Sequence, residues 1–286
     1  MERIELTDDT VRLPRRKPES HKGDYGKLLL LGGCVGFTGA PTLCARAAVR
    51  AGAGLVYLGV PAPIYEITAV KNDEAMPFPL PAGEDGRVSP AAAEQLTEYL
   101  EKCDVCALGP GLGRGAGTAA LTRRVLEDFA GPLVIDADGL NELSGMLDVL
   151  KKRKALTVLT PHAGEFARLG GELTGEIASD ALRFSEAWGC VTLLKGHRSV
   201  AAWPDGTVHV ATHGNPGMAK GGSGDVLTGV LAAMLGQLPA REAVAAGLHL
   251  HSLAGDLCRD RLGEYAMTAT DHIDTLPAAT IQMLEE

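Results

Sequence analysis

Short apolar runs that end in glycine or polar turns recur along this chain, and most lead into a stretch with helical spacing. Residues 27–31 form such a run, closed by Gly32-Gly33. A helix is expected over 41–51 and a strand over 54–60, then a helix over 91–101 and a strand over 103–108. A helix over 118–129 precedes a buried strand at 133–136. The run at 155–159 is followed by helices near 165–169 and 176–188. Strands at 191–195, 199–203 and 208–211 are joined by tight turns, with Pro204-Asp205-Gly206 a strong turn signal. Helices over 225–235 and 241–258 close the pattern. Such alternation predicts an α/β domain with a mostly parallel central sheet and crossover helices. In open sheets of this kind ligands bind beyond the carboxyl ends of the strands, so those turns are where function is sought.

No composition break or long polar linker divides the pattern. Residues 21–286 are therefore expected to form one domain, and residues 1–20, with Pro14, Pro18 and several charges, an extended arm. Hydrophobic residues make up 45% and charged residues 22% of the 286, a globular composition that argues against disorder. The formal charge of −9 gives no general attraction to nucleic acid or to an anionic membrane, so a phosphate site would have to be built locally. No run approaches the roughly 20 apolar residues of a membrane span. Met1-Glu2-Arg3-Ile4-Glu5 lacks the features of a secretory signal, which predicts a cytoplasmic protein. The six cysteines are scattered, and Cys103-x-x-Cys106 lies in an apparent buried strand without a second pair for zinc. They are expected to be reduced core thiols.

The 36 glycines cluster where a backbone must turn or approach a ligand. The most informative cluster is Ala219-Lys220-Gly221-Gly222-Ser223-Gly224-Asp225, which runs directly into an apolar helix. Its amides can converge on an anion at the positive end of that helix. Asp225 could be a helix cap. A carboxylate beside a phosphate pocket is better explained as a general base that removes a hydroxyl proton. The loop is not a Walker sequence. Three strand ends add polar, glycine-rich segments: Gly109-Pro110-Gly111-Leu112-Gly113, Asp136-Ala137-Asp138-Gly139-Leu140-Asn141, and Thr160-Pro161-His162-Ala163-Gly164-Glu165. The spacing of His162 and Glu165 does not suit zinc, whereas a helix-terminal carboxylate could hold hydrated Mg²⁺. Lys195-Gly196-His197-Arg198-Ser199 reads either as a hairpin turn or as a loop around a nucleotide. His249 and His251 are expected to pack or to line a substrate edge, and Lys151 to Lys154 to be a solvated connection.

Taken in order, these segments resemble the NAD(P)H-hydrate dehydratases. The resemblance begins with Gly36-Phe37-Thr38-Gly39-Ala40-Pro41 and Arg50-Ala51-Gly52-Ala53-Gly54-Leu55-Val56. It continues through Gly109 to Gly113, Asp136-Ala137-Asp138 with Asn141, Pro161 to Glu165 and Lys195-Gly196, and ends in Gly221 to Leu227. It spans about residues 20 to 275. His162 stands where the wider superfamily has the asparagine of an N-x-x-E magnesium motif, and Ser223 where threonine is common. The resemblance implies a ribokinase-like three-layer αβα fold. It also implies dehydration of hydrated NADH or NADPH at the expense of the terminal phosphate of ADP, or of ATP, with Mg²⁺. Ala40, Gly111, His162 and Asp225 would contact the hydrated dinucleotide. Lys195, Gly196, His197, Arg198, Ser199 and Gly224 would hold the adenylate portion of the nucleotide. Asp225 would be the base, Gly222, Ser223 and Gly224 the anion hole, and Glu165 a water-mediated partner of Mg²⁺. A homotetramer is implied, and no epimerase domain of the kind often fused to this family is expected in these residues. The rivals are a small-molecule kinase of the same fold, disfavoured by His162 and the Gly-Phe-Thr-Gly-Ala-Pro segment, and a non-catalytic nucleotide-sensing module, disfavoured by Asp225 at the anion hole.

Overall fold

The structure, a computed structural model, describes residues 1–284; the last two residues of the expected domain, 285 and 286, lie outside the described residues. The strands are β1 (Glu2–Leu6), β2 (Lys27–Leu31), β3 (Leu55–Pro61), β4 (Met76–Leu80), β5 (Val105–Leu108), β6 (Leu133–Ile135), β7 (Thr157–Leu159), β8 (Val191–Leu194), β9 (Val200–Ala202) and β10 (Thr207–Ala211). They form a single sheet in the order β1-β10-β9-β8-β7-β6-β5-β2-β3-β4. Among the described residues only β9 runs against the others, between β8 and β10. The sequence spacing explains the pattern. Crossover helices join the strands from β2 to β8, whereas the tight turns at 195–199 and 203–206 leave room only for hairpins.

Helices cover both faces: α1 (Gly39–Arg50), α2 (Tyr65–Lys71), α3 (Thr97–Lys102), α4 (Ala116–Asp128), α5 (Ala137–Leu143), α6 (Ala163–Arg168), α7 (Ile177–Trp188), α8 (Ser223–Leu235), α9 (Ala240–Ala266) and α10 (Ala269–Met283). Alternate strand residues feed two cores. Leu28, Leu30, Val105, Val134 and Val158 pack toward α1, α8, α9 and α10. Leu29, Leu31, Cys106, Leu133 and Ile135 pack toward the opposite face with Leu121, Val125, Phe166 and Phe184. Because α8 is enclosed on all sides, every residue from Val226 to Leu235 is buried, which accounts for its unbroken apolar sequence. No helix among the described residues is long and apolar enough to cross a membrane.

Several elements depart from the sequence expectation. Residues 1–20 are not merely an arm: β1 pairs in parallel with β10 at the sheet edge, and Leu6, Val11 and Leu13 are buried. The strand Met76-Pro77-Phe78-Pro79-Leu80 escaped notice because two prolines argue against a strand; it is an edge strand, where a missing donor is tolerated. The expected helix over 91–101 divides into a 3₁₀ turn at Pro90–Leu96 and α3. The helix expected to end at 258 continues to Ala266 through a break at Gly263, and α10 follows it despite Pro277. All six cysteines are buried and free, and burial pushes the Cys103 thiol up to about 12.

Candidate active site

The residues that follow β6, β7 and β8 meet beneath the first turns of α8, through Asp136, Thr160 and Lys195. Gly222 occupies the N-cap position of this helix with φ 100°, a left-handed conformation natural to glycine. A Cβ there would lie 2.7 Å from both Ala269 Cβ and Leu43 Cδ1, so space also demands glycine. Ser223 and Gly224 follow, and Asp225 stands in the third helical position. This placement excludes the simple cap reading of Asp225. Val226 N–H is bonded to Gly222 O at 3.0 Å, so the amides before it belong to the first turn, where a helix has no carbonyls of its own to offer; Ser223 N–H makes a long bond back to Lys220 O at 3.4 Å. His251 fixes this turn from behind. Its Nε2 lies 3.0 Å from Ser223 O, so that nitrogen carries the hydrogen, and burial with neighbouring His272 holds the ring neutral.

Asp136, at the end of β6, is the hub beneath that turn. Its Oδ1 accepts from Lys195 Nζ at 2.8 Å and from Thr160 Oγ1 at 2.8 Å. Its Oδ2 accepts from Thr228 Oγ1, one turn along α8, at 3.0 Å. The following residue, Ala137, has φ 48°, a left-handed conformation that costs a non-glycine residue about 1–2 kcal/mol. Gly109 permits the close crossing of the neighbouring loop, since a Cβ there would fall 1.7 Å from Asp136 O. Asp138 then ties that loop down by accepting from Gly113 N–H at 2.8 Å, and Asn141 joins it through Asp138 and Arg168.

The electrostatics follow from this packing. Burial above all, then the Asp136 charge, raise Asp225 to about 7 against the partial relief given by Lys195. Burial opposes the charge on Lys195, but Asp136 and Glu165 outweigh it and hold the ammonium above its ordinary value. The result is a carboxyl that exchanges its proton near neutrality beside a fixed cation, both at the positive end of a buried helix.

The other expected residues fall at the same edge. Ala40, in the first turn of α1, is adjacent to Gly111, where a Cβ would lie 3.0 Å from Ala40 Cβ. His162 caps α6: its Nδ1 accepts from Gly164 N–H at 3.0 Å, while Glu165 Oε2 accepts from His162 N–H at 2.9 Å. The His162 ring is largely exposed, with Nε2 3.5 Å from Glu165 Oε1. Gly196, His197 and Arg198 form the exposed turn between β8 and β9, with Ser199 folded back on Gly196. Arg198 lies 3.8 Å from Glu5 of β1. Lys195 separates from that turn, its ammonium reaching inward to within 3.8 Å of Glu165. Gly224 is the neighbour of both partners: a Cβ on it would lie 3.3 Å from Lys195 Nζ and 3.6 Å from Asp136 Oδ2. Glu165 is buried and already engaged by its cap and by Lys195. This fits an outer-sphere role toward a hydrated cation rather than direct ligation. Sequence reasoning noted Asp136 and Thr160 without giving either a role, and it missed Thr228 and the inward turn of Lys195.

A mostly parallel sheet with helices on both faces, and polar strand ends gathered beneath a glycine-led helix, define a protein of ribokinase-like fold. A ribokinase-like superfamily protein from Enterococcus faecalis superposes with a TM-score of 0.86 at 27% identity, covering 99% of this chain and 97% of that one. An ADP/ATP-dependent NAD(P)H-hydrate dehydratase from Bacillus subtilis, co-crystallised with ATP and Mg²⁺, superposes with a TM-score of 0.82 at 30% identity over 97% of this chain and 98% of that one. The family model for NAD(P)H-hydrate dehydratase matches residues 28–278, and the chain belongs to that family. The bifunctional NAD(P)H-hydrate repair enzyme Nnr of Moorella thermoacetica is 45% identical over 96% of this chain but 53% of its own length. The chain thus spans about half the length of the curated relatives it matches.

Proposed function

We propose that this chain dehydrates (S)-NADH hydrate and (S)-NADPH hydrate to NADH and NADPH, using ADP and releasing AMP and phosphate. The observation that carries the proposal is Asp225, held near pKa 7 in the first turn of α8. A base with that affinity accepts a hydroxyl proton at neutral pH without being permanently protonated or too weak. The deprotonated ring oxygen attacks the terminal phosphorus of the nucleotide and the bond to the departing nucleotide breaks. The amides of Gly222, Ser223 and Gly224 and the Lys195 ammonium face the charge that develops on the transferring group. The ring nitrogen then expels the new phosphate by breaking the carbon–oxygen bond. Loss of a proton from the adjacent ring carbon restores the double bond. Ala40, Gly111 and His162 border the ring site, and Gly196, His197, Arg198, Ser199 and Gly224 border the nucleotide.

Mg²⁺, when bound, would neutralise nucleotide phosphate charge, with Glu165 reaching it through water. Residues 21–286 would act as one catalytic unit to which residues 1–20 are joined through the sheet edge. The chain would work in the cytoplasm as a homotetramer, on small-molecule partners rather than nucleic acid or membrane. The test is incubation of the purified chain with hydrated NADH, Mg²⁺ and either ADP or ATP, following dihydronicotinamide absorbance. Faster recovery with ADP is expected. No recovery with either nucleotide, together with rapid phosphorylation of a sugar or vitamin alcohol, would overturn the reading in favour of a kinase.

A further inference from the structure

Outside the active site, at the far end of the same sheet edge, three side chains from distant parts of the chain converge. Asp8 follows β1, His213 follows β10, and His249 lies on α9. His213 Nε2 and His249 Nε2 are each 3.0 Å from the same oxygen, Asp8 Oδ1, and the three potential ligand atoms lie within 4.8 Å of one another. The His249 side chain is fully buried; Asp8 and the Leu6 backbone lie within reach of its ring, yet neither ring nitrogen is aligned for a hydrogen bond. A polar side chain enclosed to that degree normally has a partner. Its Nε2 is close to Asp8 without being aligned on it. Ligands of one tetrahedral ion behave in this way: metal–nitrogen bonds of about 2.0 Å hold them roughly 3.3 Å apart, with lone pairs aimed at a shared point.

His213 is itself held from its other side. His213 Nδ1 lies 3.1 Å from Asp256 Oδ2. Asp256 sits seven residues after His249, two turns along the same face of α9. Its carboxylate is fixed by Gly214 N–H at 3.1 Å, Asn215 Nδ2 at 2.9 Å and Arg259 Nη1 at 3.1 Å. A histidine whose Nδ1–H is held by a carboxylate presents the Nε2 lone pair outward, as metal-ligating histidines do. Asp8 is exposed and His213 partly so, which leaves an approach from solvent and room for a water ligand.

We propose that Asp8, His213 and His249 form a binding site for a divalent transition ion of the zinc type, separate from the dehydratase site. Two imidazoles and one carboxylate suit Zn²⁺ or Co²⁺ and not Mg²⁺, which prefers an all-oxygen shell. The ion would clip the N-terminal strand to β10 and α9. The test uses the full chain freed of metal by chelator dialysis and titrated with Co²⁺ in excess Mg²⁺, then displaced by Zn²⁺. One equivalent of Co²⁺ with visible d–d absorption is expected, abolished by Zn²⁺ and by His213→Gln. Asp256→Asn should weaken binding by about 10–100-fold. Circular dichroism establishes that each variant is folded, and Asp8→Asn supplies an independent exposed ligand change should His213→Gln fail to fold. Binding far below one equivalent, competition by Mg²⁺, or a Co²⁺ spectrum unchanged in the folded ligand variants would overturn the proposal.

Discussion

Asp225 and Asp136 are both carboxylates of one site, yet their surroundings divide them. Asp136 is saturated by Lys195, Thr160 and Thr228, whereas Asp225 is half-buried without a comparable partner and raised to about 7. Asp225→Asn should lower turnover by about 10²–10⁴-fold while nucleotide binding persists, because the amide fills the same space but accepts no proton. Single-turnover kinetics with calorimetric nucleotide binding checks this, and unchanged turnover would remove Asp225 from catalysis. The same shift has a stability consequence. Between the ordinary value of 3.8 and about 7 the native state keeps a proton that the unfolded chain releases. Its contribution is full below the lower value and lost as pH rises through the upper one. Asp225→Asn should therefore gain stability relative to wild type above about pH 7 and much less near pH 4, as read from melting temperatures across that range.

Lys195→Met should move the acidic limb of the kcat/KM profile to higher pH, since the ammonium is what partly relieves Asp225; a profile that stays in place would contradict the coupling. Gly224→Val should weaken nucleotide use by crowding Lys195 and Asp136, and normal nucleotide affinity and turnover in the folded variant would show that the anion hole is misplaced. Left-handed backbone is not the reason at Gly224; that constraint belongs to Gly222. The glycine loop and Asp225 were legible because they are contiguous and run into an apolar helix. The hub was not, since Asp136 meets Lys195 and Thr228 across 59 and 92 residues of chain, a closure that only the folded sheet produces.

At the level of elements, the site depends on how closely α8 approaches α1. Gly229 sits where a Cβ would fall 2.1 Å from Cys44 O, a backbone atom that cannot rotate away. Gly229→Ala should destabilise the protein by about 1–3 kcal/mol or more, measured by urea unfolding; a cost near zero would mean that the two helices separate freely. The buried central strands were readable from their apolar runs and closing glycines, and β2 was delimited to the residue. The elements that escaped lacked those signals. β1 is a short, charged edge strand, β4 carries two prolines, and α10 contains Pro277. In each case packing against neighbouring elements overrides weak local preference.

For the molecule as a whole, the fold alone does not choose between phosphorylating an alcohol and dehydrating a ring. Both begin with a base, an anion hole and a transferable phosphate at the carboxyl edge of the sheet. They diverge in the fate of the phosphate: an alkyl ester persists, whereas an ester on the carbon beside the ring nitrogen is expelled. The proposed dehydratase reaction is therefore tested most directly by measuring phosphate and NADH together, with purified chain, hydrated NADH, ADP and Mg²⁺. The expected result is one inorganic phosphate for each NADH restored, with AMP formed in equal amount and no lasting phosphoester. Nucleotide consumption that leaves the phosphate on a stable product, with no dihydronicotinamide absorbance recovered, would contradict it.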